Sequence, residues 1–298
     1  MMKKLLFKGA ATALITPFKD GNVDIPTLKK LVEFQISQGI DAIVVCGTTG
    51  EAPTLTKKEK IEITAAAAEV SAGRVPIIAG TTCNDTASSV ELSKEAIREG
   101  ADGILAVTPY YNRPGASGLL RHFLSIAEGA GKQTILYNIP SRTGCDIPDS
   151  VYEGFSSHPM AAGVKEASGS ISKCAYITSR FGPELPLYSG NDDMTLPVLA
   201  LGGVGVISVV SNIFPKEMSD LCALYDTDRG ACLNLYNRFV PLMRSLFTET
   251  NPMPIKSAMT KLRLCSGEMR LPLTRASAKC EETLFYELER FSIADREK

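Results

Sequence analysis

A lysine and a tyrosine end two apolar segments of this chain, at a spacing that suits amine chemistry. Residues 160–164 are strand-like, and the run ends on Lys165 instead of a turn residue. Residues 134–136 form a similar run that ends on Tyr137, 28 positions upstream. That spacing is about one strand-helix-strand unit of a barrel in which roughly 250 residues make eight units. In parallel neighbouring strands about 4.8 Å apart, the phenol and the amine would emerge side by side.

The chemistry that these two groups support is Schiff-base formation. An apolar pocket disfavours the charged form of an amine, which lowers its pKa and leaves more neutral nucleophile to attack a carbonyl. Loss of water from the carbinolamine needs a proton carrier, and a phenol with a pKa of about 10 must be coupled to other groups to serve. Thr49 and a second tyrosine are the candidate partners. The alternatives are a lysine that pairs with Glu166 or Asp192, and a core tyrosine whose hydroxyl has found a partner.

Two other segments could bind an anionic substrate. Residues 47–51 read Gly-Thr-Thr-Gly-Glu, which combines the hydroxyls of Thr48 and Thr49 with glycines that let backbone amides approach a carboxylate. A tight turn is the alternative, and a Walker loop is excluded because no lysine follows the second glycine. Arg142 follows the Tyr137 strand, and a guanidinium binds a carboxylate through two parallel hydrogen bonds. A solvated loop arginine is the alternative there.

Composition indicates a soluble globular protein and argues against several partners. The chain has 298 residues, of which 44% are hydrophobic and 22% charged. Its formal net charge is -1 and its basic residues form no dense cluster, so nucleic acid is not an expected partner. No segment reaches the roughly 18 apolar residues of a membrane helix. Residues 1–18 are not expected to be a signal peptide, since Lys8 interrupts the apolar run and Pro17 ends it.

Cysteine and histidine usage narrows the chemistry further. The eight cysteines are scattered without a C-x-x-C pair, which predicts buried reduced thiols and a cytoplasmic protein. The two histidines, His122 and His158, are isolated. A histidine-built metal site or a Ser-His-Asp triad is therefore not expected.

Eight short apolar runs alternate with helical patterns along most of the chain. Helix starts are predicted at Asp24, at Thr56 with Glu59 as a capping box, and at Asp85. Strands buried on both faces and alternating with helices indicate a parallel sheet. The predicted strands are residues 11–16, 42–46, 75–80, 103–107, 134–137, 161–165, 185–188 and 204–209.

Eight such units predict an α/β fold, a (β/α)8 TIM barrel over residues 1–225, with an open doubly wound sheet as the alternative. Residues 226–298 show only helical spacing and are predicted to form a C-terminal helical extension. Its helical faces are Leu233, Tyr236 and Val240, then Ala258, Leu262 and Cys265, then Cys280, Leu284 and Leu288, with hinges at Pro252, Pro254 and Pro272. The extension contains no chemical motif, so packing or oligomer contacts are its expected role.

In a barrel, the residues that follow the strands form the active site. This places Thr48, Thr49, Tyr110, Tyr111, Tyr137, Lys165, Gly190 and Asn191 at one end of the predicted barrel. The glycines at 202, 203 and 205 only half match a dinucleotide fingerprint, because Ser208 stands at the third glycine position. They are interpreted as close packing around the eighth strand.

These residues resemble the pyruvate-dependent class I aldolases and lyases, and the likeness runs nearly end to end. It begins at residues 13–18 (ALITPF) and reaches residues 270–273 (RLPL). Between them, residues 47–51 are similar to the pyruvate-carboxylate loop and residues 108–111 (TPYY) to the tandem-tyrosine segment. Residues 137–144 (YNIPSRTG) and 163–165 (GVK) resemble the segments with the relay tyrosine and the Schiff-base lysine.

The resemblance implies a role for each matching residue. Lys165 would condense with pyruvate, and Tyr137, Thr49 and Tyr111 would pass protons. The tyrosine at the Tyr111 position reaches into a neighbouring subunit in this family, which implies an obligate dimer, usually paired into a tetramer. The implied substrate-binding residues are Thr48, Thr49, Arg142, Gly190 and Ile207, the last through its backbone carbonyl. No metal or organic cofactor is implied, since the enzyme-bound imine is itself the electron sink.

Within the family, Thr48 and Arg142 favour the branch that condenses pyruvate with L-aspartate 4-semialdehyde on the diaminopimelate route to lysine. N-acetylneuraminate lyases usually have serine before threonine in the first loop and lack the arginine, and other sugar-acid aldolases are the next alternative. An alternative from a different functional class is a non-catalytic barrel that binds a keto acid. Such a protein would need the pocket but not the reactive amine.

One departure from the family pattern concerns feedback by lysine. In lysine-inhibited members, the allosteric pocket contains a glutamate at the position of Ser88, and histidines at the positions of Lys57 and Lys60. Asn84 and Tyr110 match the pocket. A charged partner for the ligand's ammonium contributes about 1.5–3 kcal/mol. We therefore expect free lysine to inhibit this protein weakly or not at all.

Overall fold

The computed structural model describes residues 5–296. The first four residues of the segment considered above as a signal peptide, and the last two of the predicted extension, lie outside this range. Within it the strands are β1 (Gly9–Ala13), β2 (Phe18–Lys19), β3 (Asn22–Val23), β4 (Ala42–Val45), β5 (Ile77–Gly80), β6 (Gly103–Val107), β7 (Gln133–Asn138), β8 (Ala161–Glu166), β9 (Leu187–Ser189) and β10 (Gly205–Ser208).

Eight of these strands close a parallel barrel in the order β1-β10-β9-β8-β7-β6-β5-β4, and β1 pairs with both β10 and β4. The predicted TIM barrel is confirmed, each predicted strand is present, and the open doubly wound sheet is wrong. Outside the barrel, β2 and β3 form a hairpin that the sequence analysis missed. Its turn residues, Asp20 and Gly21, both have positive φ, and an Asp-Gly pair is a signal for such a turn.

The helices are α1 (Ile25–Ser37), α2 (Lys57–Ser71), α3 (Thr86–Arg98), α4 (Ala116–Ala130), α5 (Pro140–Thr143), α6 (Asp149–Ser156), α7 (Ile171–Phe181), α8 (Thr195–Ala200), α9 (Pro215–Thr227), α10 (Arg229–Ser245), α11 (Met253–Lys261) and α12 (Ala278–Arg296). The three predicted starts are confirmed. The Asp24 and Asp85 side chains cap α1 and α3, and Thr56 and Glu59 form the capping box of α2. Such caps satisfy backbone amides that have no partner within the helix.

Three helices, α10, α11 and α12, follow residue 228 with non-helical segments between them, so helices are present as predicted, but one predicted face is wrong. α11 ends at Lys261, so Leu262 and Cys265 lie beyond it. The cause is local, since Arg263 has a φ of 59° and the α-helix cannot continue through a left-handed residue. The division of the chain at residue 225 stays a prediction.

Side chains fill the interior of the barrel at the amino end of its strands. At the amino end of the strands, Tyr188 stacks on Phe7 with ring centroids 4.4 Å apart and donates a hydrogen bond to the Phe7 carbonyl oxygen. Gly205 has no space for a side chain, because a Cβ there would lie 1.9 Å from the Gly9 carbonyl oxygen. Gly203 is also tightly packed, because a Cβ there would lie 2.4 Å from the Val198 side chain. The predicted close packing is therefore present at Gly203 and Gly205, but it is wrong for Gly202, which has open space and a φ of 94°. Across residues 5–296, no helix is both long and apolar enough to cross a membrane.

Candidate active site

Lys165 and Tyr137 lie opposite each other on paired strands. The register of β7 and β8 matches Tyr137 with Lys165, and each residue is 5% exposed. The lysine Nζ lies 4.2 Å from the centre of the tyrosine ring, within the range of a cation–π contact. The side-by-side arrangement inferred from their spacing is therefore present in the barrel.

Neither acidic neighbour pairs with Lys165. Side chains alternate along a strand, so Glu166 points to the opposite face of the sheet, where it accepts hydrogen bonds from Asn138 Nδ2 at 2.9 Å and the Ser168 amide at 2.6 Å. Asp192 accepts from the amides of residues 209 and 210, and burial raises the pKa of its carboxyl. Both carboxylates thus have other hydrogen-bond donors, and the ion pairs of the described residues include none to Lys165, although the Lys165 charge favours the ionised form of Asp192.

A cavity of about 450 Å³ opens above Lys165 at the carboxyl ends of the strands. Six predicted site residues line it: Thr48, Thr49, Tyr137, Arg142, Lys165 and Gly190. They come from loops and strand ends between residues 48 and 190, and closure of the barrel brings them together. The predicted Asn191 also lines this cavity.

Two predicted residues are not among those that line this cavity. The Ile207 side chain is fully buried in the barrel interior, in the apolar cluster that includes Tyr137, and the role of its backbone carbonyl stays a prediction. Tyr111 is 92% exposed, has a φ of 69°, and lines none of the described cavities. Its neighbour Tyr110 is 36% exposed and lines a second cavity of about 310 Å³, which shares Thr48 and other residues with the first.

Sequence reasoning missed the contribution of the segment between α10 and α11. Residues 247–251 line the cavity, although the extension was expected to serve only packing or oligomer contacts. Asn251 donates a hydrogen bond from Nδ2 to Thr49 Oγ1 at 2.9 Å. Its backbone carbonyl accepts one from Arg142 Nη2 at 2.8 Å. The polar run Thr-Glu-Thr-Asn before Pro252 signals a loop, but nothing local indicates which site it joins.

A buried ion pair holds the 47–51 loop against α11. Lys256 Nζ lies 2.5 Å from Glu51 Oε1, and both side chains are fully buried. Lys256 also donates to the Glu268 carbonyl oxygen, and Glu51 Oε2 accepts from the Arg270 amide. Burial lowers the pKa of Lys256, and Glu51 opposes that change by favouring the charged amine. The C-terminal region therefore anchors the loop that presents Thr49.

We expect Lys256→Ala to destabilise the protein by about 3–5 kcal/mol, because the substitution leaves the Glu51 carboxylate buried without its partner. Urea denaturation followed by circular dichroism measures this as a lower midpoint. Lys29→Ala is the matched control, since Lys29 forms a solvent-exposed pair with Glu69 that contributes about 1 kcal/mol or less. Equal small effects of the two substitutions would contradict the assigned role of the buried pair.

The barrel and the buried lysine at its catalytic end place the protein among the lyases of the class I aldolase type, which form carbon–carbon bonds. The model of the Dihydrodipicolinate synthetase family matches residues 6–290, and the chain belongs to that family.

Similar proteins support this membership. The chain is 45% identical over 290 residues to 4-hydroxy-tetrahydrodipicolinate synthase 1 of Clostridium acetobutylicum, covering 97% of this chain and 99% of the relative. The structure of 4-hydroxy-tetrahydrodipicolinate synthase from Methylacidiphilum fumariolicum SolV has a TM-score of 0.94 at 42% identity, with 96% of each chain covered. A structure described as a monomeric dihydrodipicolinate synthase variant has a TM-score of 0.93 at 37% identity, covering 96% of this chain and 97% of the other.

Proposed function

We propose that this protein is a 4-hydroxy-tetrahydrodipicolinate synthase, which condenses pyruvate with L-aspartate 4-semialdehyde on the diaminopimelate route to lysine. The observation that carries the proposal is the buried amine of Lys165 beside the Tyr137 ring, in a cavity that Arg142 also lines. Nucleophile, hydroxyl groups and carboxylate-binding cation are thus available in one cavity. The relatives described above carry the same enzyme name.

Lys165 acts as the nucleophile towards pyruvate. Its Nζ attacks the C2 carbonyl, and the resulting carbinolamine loses water to give an imine. Tyr137 and Thr49 supply and remove the protons, with Tyr111 from a neighbouring subunit linking them to solvent. Thr48 and Thr49 bind the pyruvate carboxylate, supported by Gly190 and by the backbone carbonyl of Ile207. Loss of a methyl proton then gives an enamine, for which the imine nitrogen is the electron sink.

The second substrate meets the enamine next to Arg142. The guanidinium binds the carboxylate of the semialdehyde through two hydrogen bonds, which orients the aldehyde carbon towards the enamine. A carbon–carbon bond forms between C3 of pyruvate and the aldehyde carbon, whose oxygen takes a proton. The α-amino group of the semialdehyde then attacks the imine carbon and displaces Lys165, which closes the ring of the product and frees the enzyme.

We further propose that the protein acts as a homo-oligomer, a dimer of dimers, in the cytoplasm. Tyr111 supports the assembly, since an aromatic side chain that is 92% exposed is available to pack against another chain. The eight free cysteines support a reducing compartment. Analytical ultracentrifugation tests the assembly, and a monomer at micromolar concentration would contradict it.

Pyruvate consumption by the purified protein tests the function, with L-aspartate 4-semialdehyde and N-acetylmannosamine supplied in parallel. We expect turnover with the semialdehyde alone. Turnover with the sugar alone would keep the Schiff-base lysine and overturn the substrate assignment. A protein that binds pyruvate but forms no borohydride-reducible adduct would instead be a non-catalytic keto-acid-binding barrel.

We expect half-inhibition by free lysine to require more than about 1 mM ligand, because the proposed allosteric site lacks a carboxylate for the ligand's ammonium. Ser88 is exposed at the start of α3, where its amide donates to Asp85, and Lys57 is paired with Glu95 at 2.7 Å. Ser88→Glu is expected to lower the half-inhibitory concentration about tenfold or more. Strong sub-millimolar inhibition of the unmodified enzyme would contradict the expectation.

A further inference from the structure

The two strands that present the reacting lysine and tyrosine, β7 and β8, are paired with an irregular register. Thr134 of β7 lies opposite Ala161 of β8. The next residue of β7 lies opposite Gly163, so Ala162 is skipped in the pairing. An extra residue in one strand changes the direction of the side chains beyond it. Because successive side chains alternate between faces, a slip of one residue here would turn Lys165 away from the cavity.

Beyond the irregularity, a side-chain hydrogen bond joins the two strands. Asn138 directly follows Tyr137, and it lies opposite Glu166, which directly follows Lys165. Asn138 is fully buried and Glu166 is 3% exposed. Asn138 Nδ2 donates to Glu166 Oε2 at 2.9 Å, on the face of the sheet opposite the cavity. The strands are therefore joined at the residues next to the reacting pair.

Further hydrogen bonds fix the orientation of both side chains. Asn138 Nδ2 also donates to Asp146 Oδ1 at 2.8 Å, and Asn138 Oδ1 accepts from the Ile147 amide at 3.0 Å. Glu166 Oε1 accepts from the Ser168 amide at 2.6 Å. Both amide protons and the amide oxygen of Asn138 are thus bonded, and the second carboxylate oxygen of Glu166 is left for Asn138. The contact between the strands has one defined geometry.

We propose that Asn138 and Glu166 are positioning residues that hold β7 and β8 in the register that sets Lys165 against Tyr137. Neither residue lines the catalytic cavity, so their effect on the reaction passes through the two strands. The inference rests on the proposed function, because the geometry of Lys165 and Tyr137 matters to a rate only if these groups react. It gives Glu166 a role different from the ion pair considered in the sequence analysis.

Asn138→Asp tests the contact, because the substitution removes the amide donor and places a second carboxylate against Glu166. Two carboxylates at hydrogen-bond distance repel each other or share one proton. We expect kcat to fall about 100-fold at about pH 8, with KM for both substrates within about threefold of the parent. The ratio of variant to parent kcat should rise as the pH is lowered to about 6, since a protonated carboxyl can donate in place of the amide.

The double variant Asn138→Asp with Glu166→Gln provides the rescue. The new amide can donate to the new carboxylate, which restores the hydrogen bond with donor and acceptor exchanged. We expect kcat of the double variant to return to within about tenfold of the parent, although the separate losses would predict a larger deficit. Absence of any recovery in a folded double variant would overturn the proposal.

Gln35→Met is the matched control for the loss of buried hydrogen bonds. Gln35 is fully buried, donates to the Ser211 carbonyl oxygen at 2.9 Å and lines none of the described cavities. Its substitution should lower the urea midpoint and leave kcat unaltered. If Asn138→Asp also lowers only the midpoint and keeps the parent kcat, the contact contributes to stability alone and the proposal is overturned.

If Asn138→Asp does not fold by circular dichroism, Glu166→Gln decides alone. An amide at this position has one oxygen for the two donors, Asn138 and the Ser168 amide, so kcat should fall about tenfold at unchanged KM. Unaltered kcat in this variant would overturn the proposal. An unmodified protein that forms no borohydride-reducible adduct with pyruvate would count against the proposed function. An active parent with equally active variants would count against the positioning role alone, so the two failures are distinguishable.

Discussion

We expect replacement of Lys165 by alanine to abolish the covalent adduct that borohydride traps with pyruvate, and to lower kcat by about 10⁴-fold or more. The reason is geometric, since Lys165 is the one lysine among the described residues that line the cavity at the strand ends. Mass spectrometry of the reduced protein measures the adduct, and a pyruvate assay measures the turnover.

Lys94→Ala is the matched control for this experiment. Lys94 is an exposed lysine on α3, so its loss should change neither the adduct nor the rate. Full labelling of the Lys165→Ala protein would show that another lysine is the nucleophile. Peptide mapping of the labelled protein would then identify it.

We expect replacement of Arg142 by alanine to leave the pyruvate adduct intact and to lower kcat/KM for the semialdehyde by about 10²- to 10³-fold. Truncating one partner of a charged, hydrogen-bonded pair costs about 2–5 kcal/mol, and each 1.36 kcal/mol is about tenfold in rate. The guanidinium lines the cavity and one of its nitrogens is held by Asn251, so it is oriented before substrate arrives. Steady-state kinetics with the semialdehyde varied measure the loss.

Two further variants sharpen this prediction. Arg142→Lys should recover only part of the loss, because an ammonium keeps the charge but cannot make two parallel hydrogen bonds. Arg121→Ala, at an exposed position on α4, is the control that should behave like the unmodified enzyme. Loss of the pyruvate adduct in Arg142→Ala would contradict the assignment of Arg142 to the second substrate.

Much of the barrel follows from patterns within short stretches of the chain. Residues 103–107 were predicted as a strand and form β6 with the same bounds, since an apolar run between turn signals is a local property. The Tyr137–Lys165 contact was also predictable, because a parallel barrel pairs each strand with the next along the chain. The predicted helical face that included Leu262 and Cys265 was wrong, because the backbone leaves the helical conformation at Arg263, just after α11.

The sequence by itself determined the barrel, its strands, and the lysine, tyrosine, threonines and arginine that face its cavity, because strand period and loop position are encoded over a few residues. Only the tertiary structure decided that the C-terminal region completes the site. Asn251 meets Thr49 across 202 positions, and Lys256 meets Glu51 across 205. Such contacts depend on how the C-terminal helices pack against the folded barrel. The residue pattern within either segment does not indicate which distant side chain it will contact.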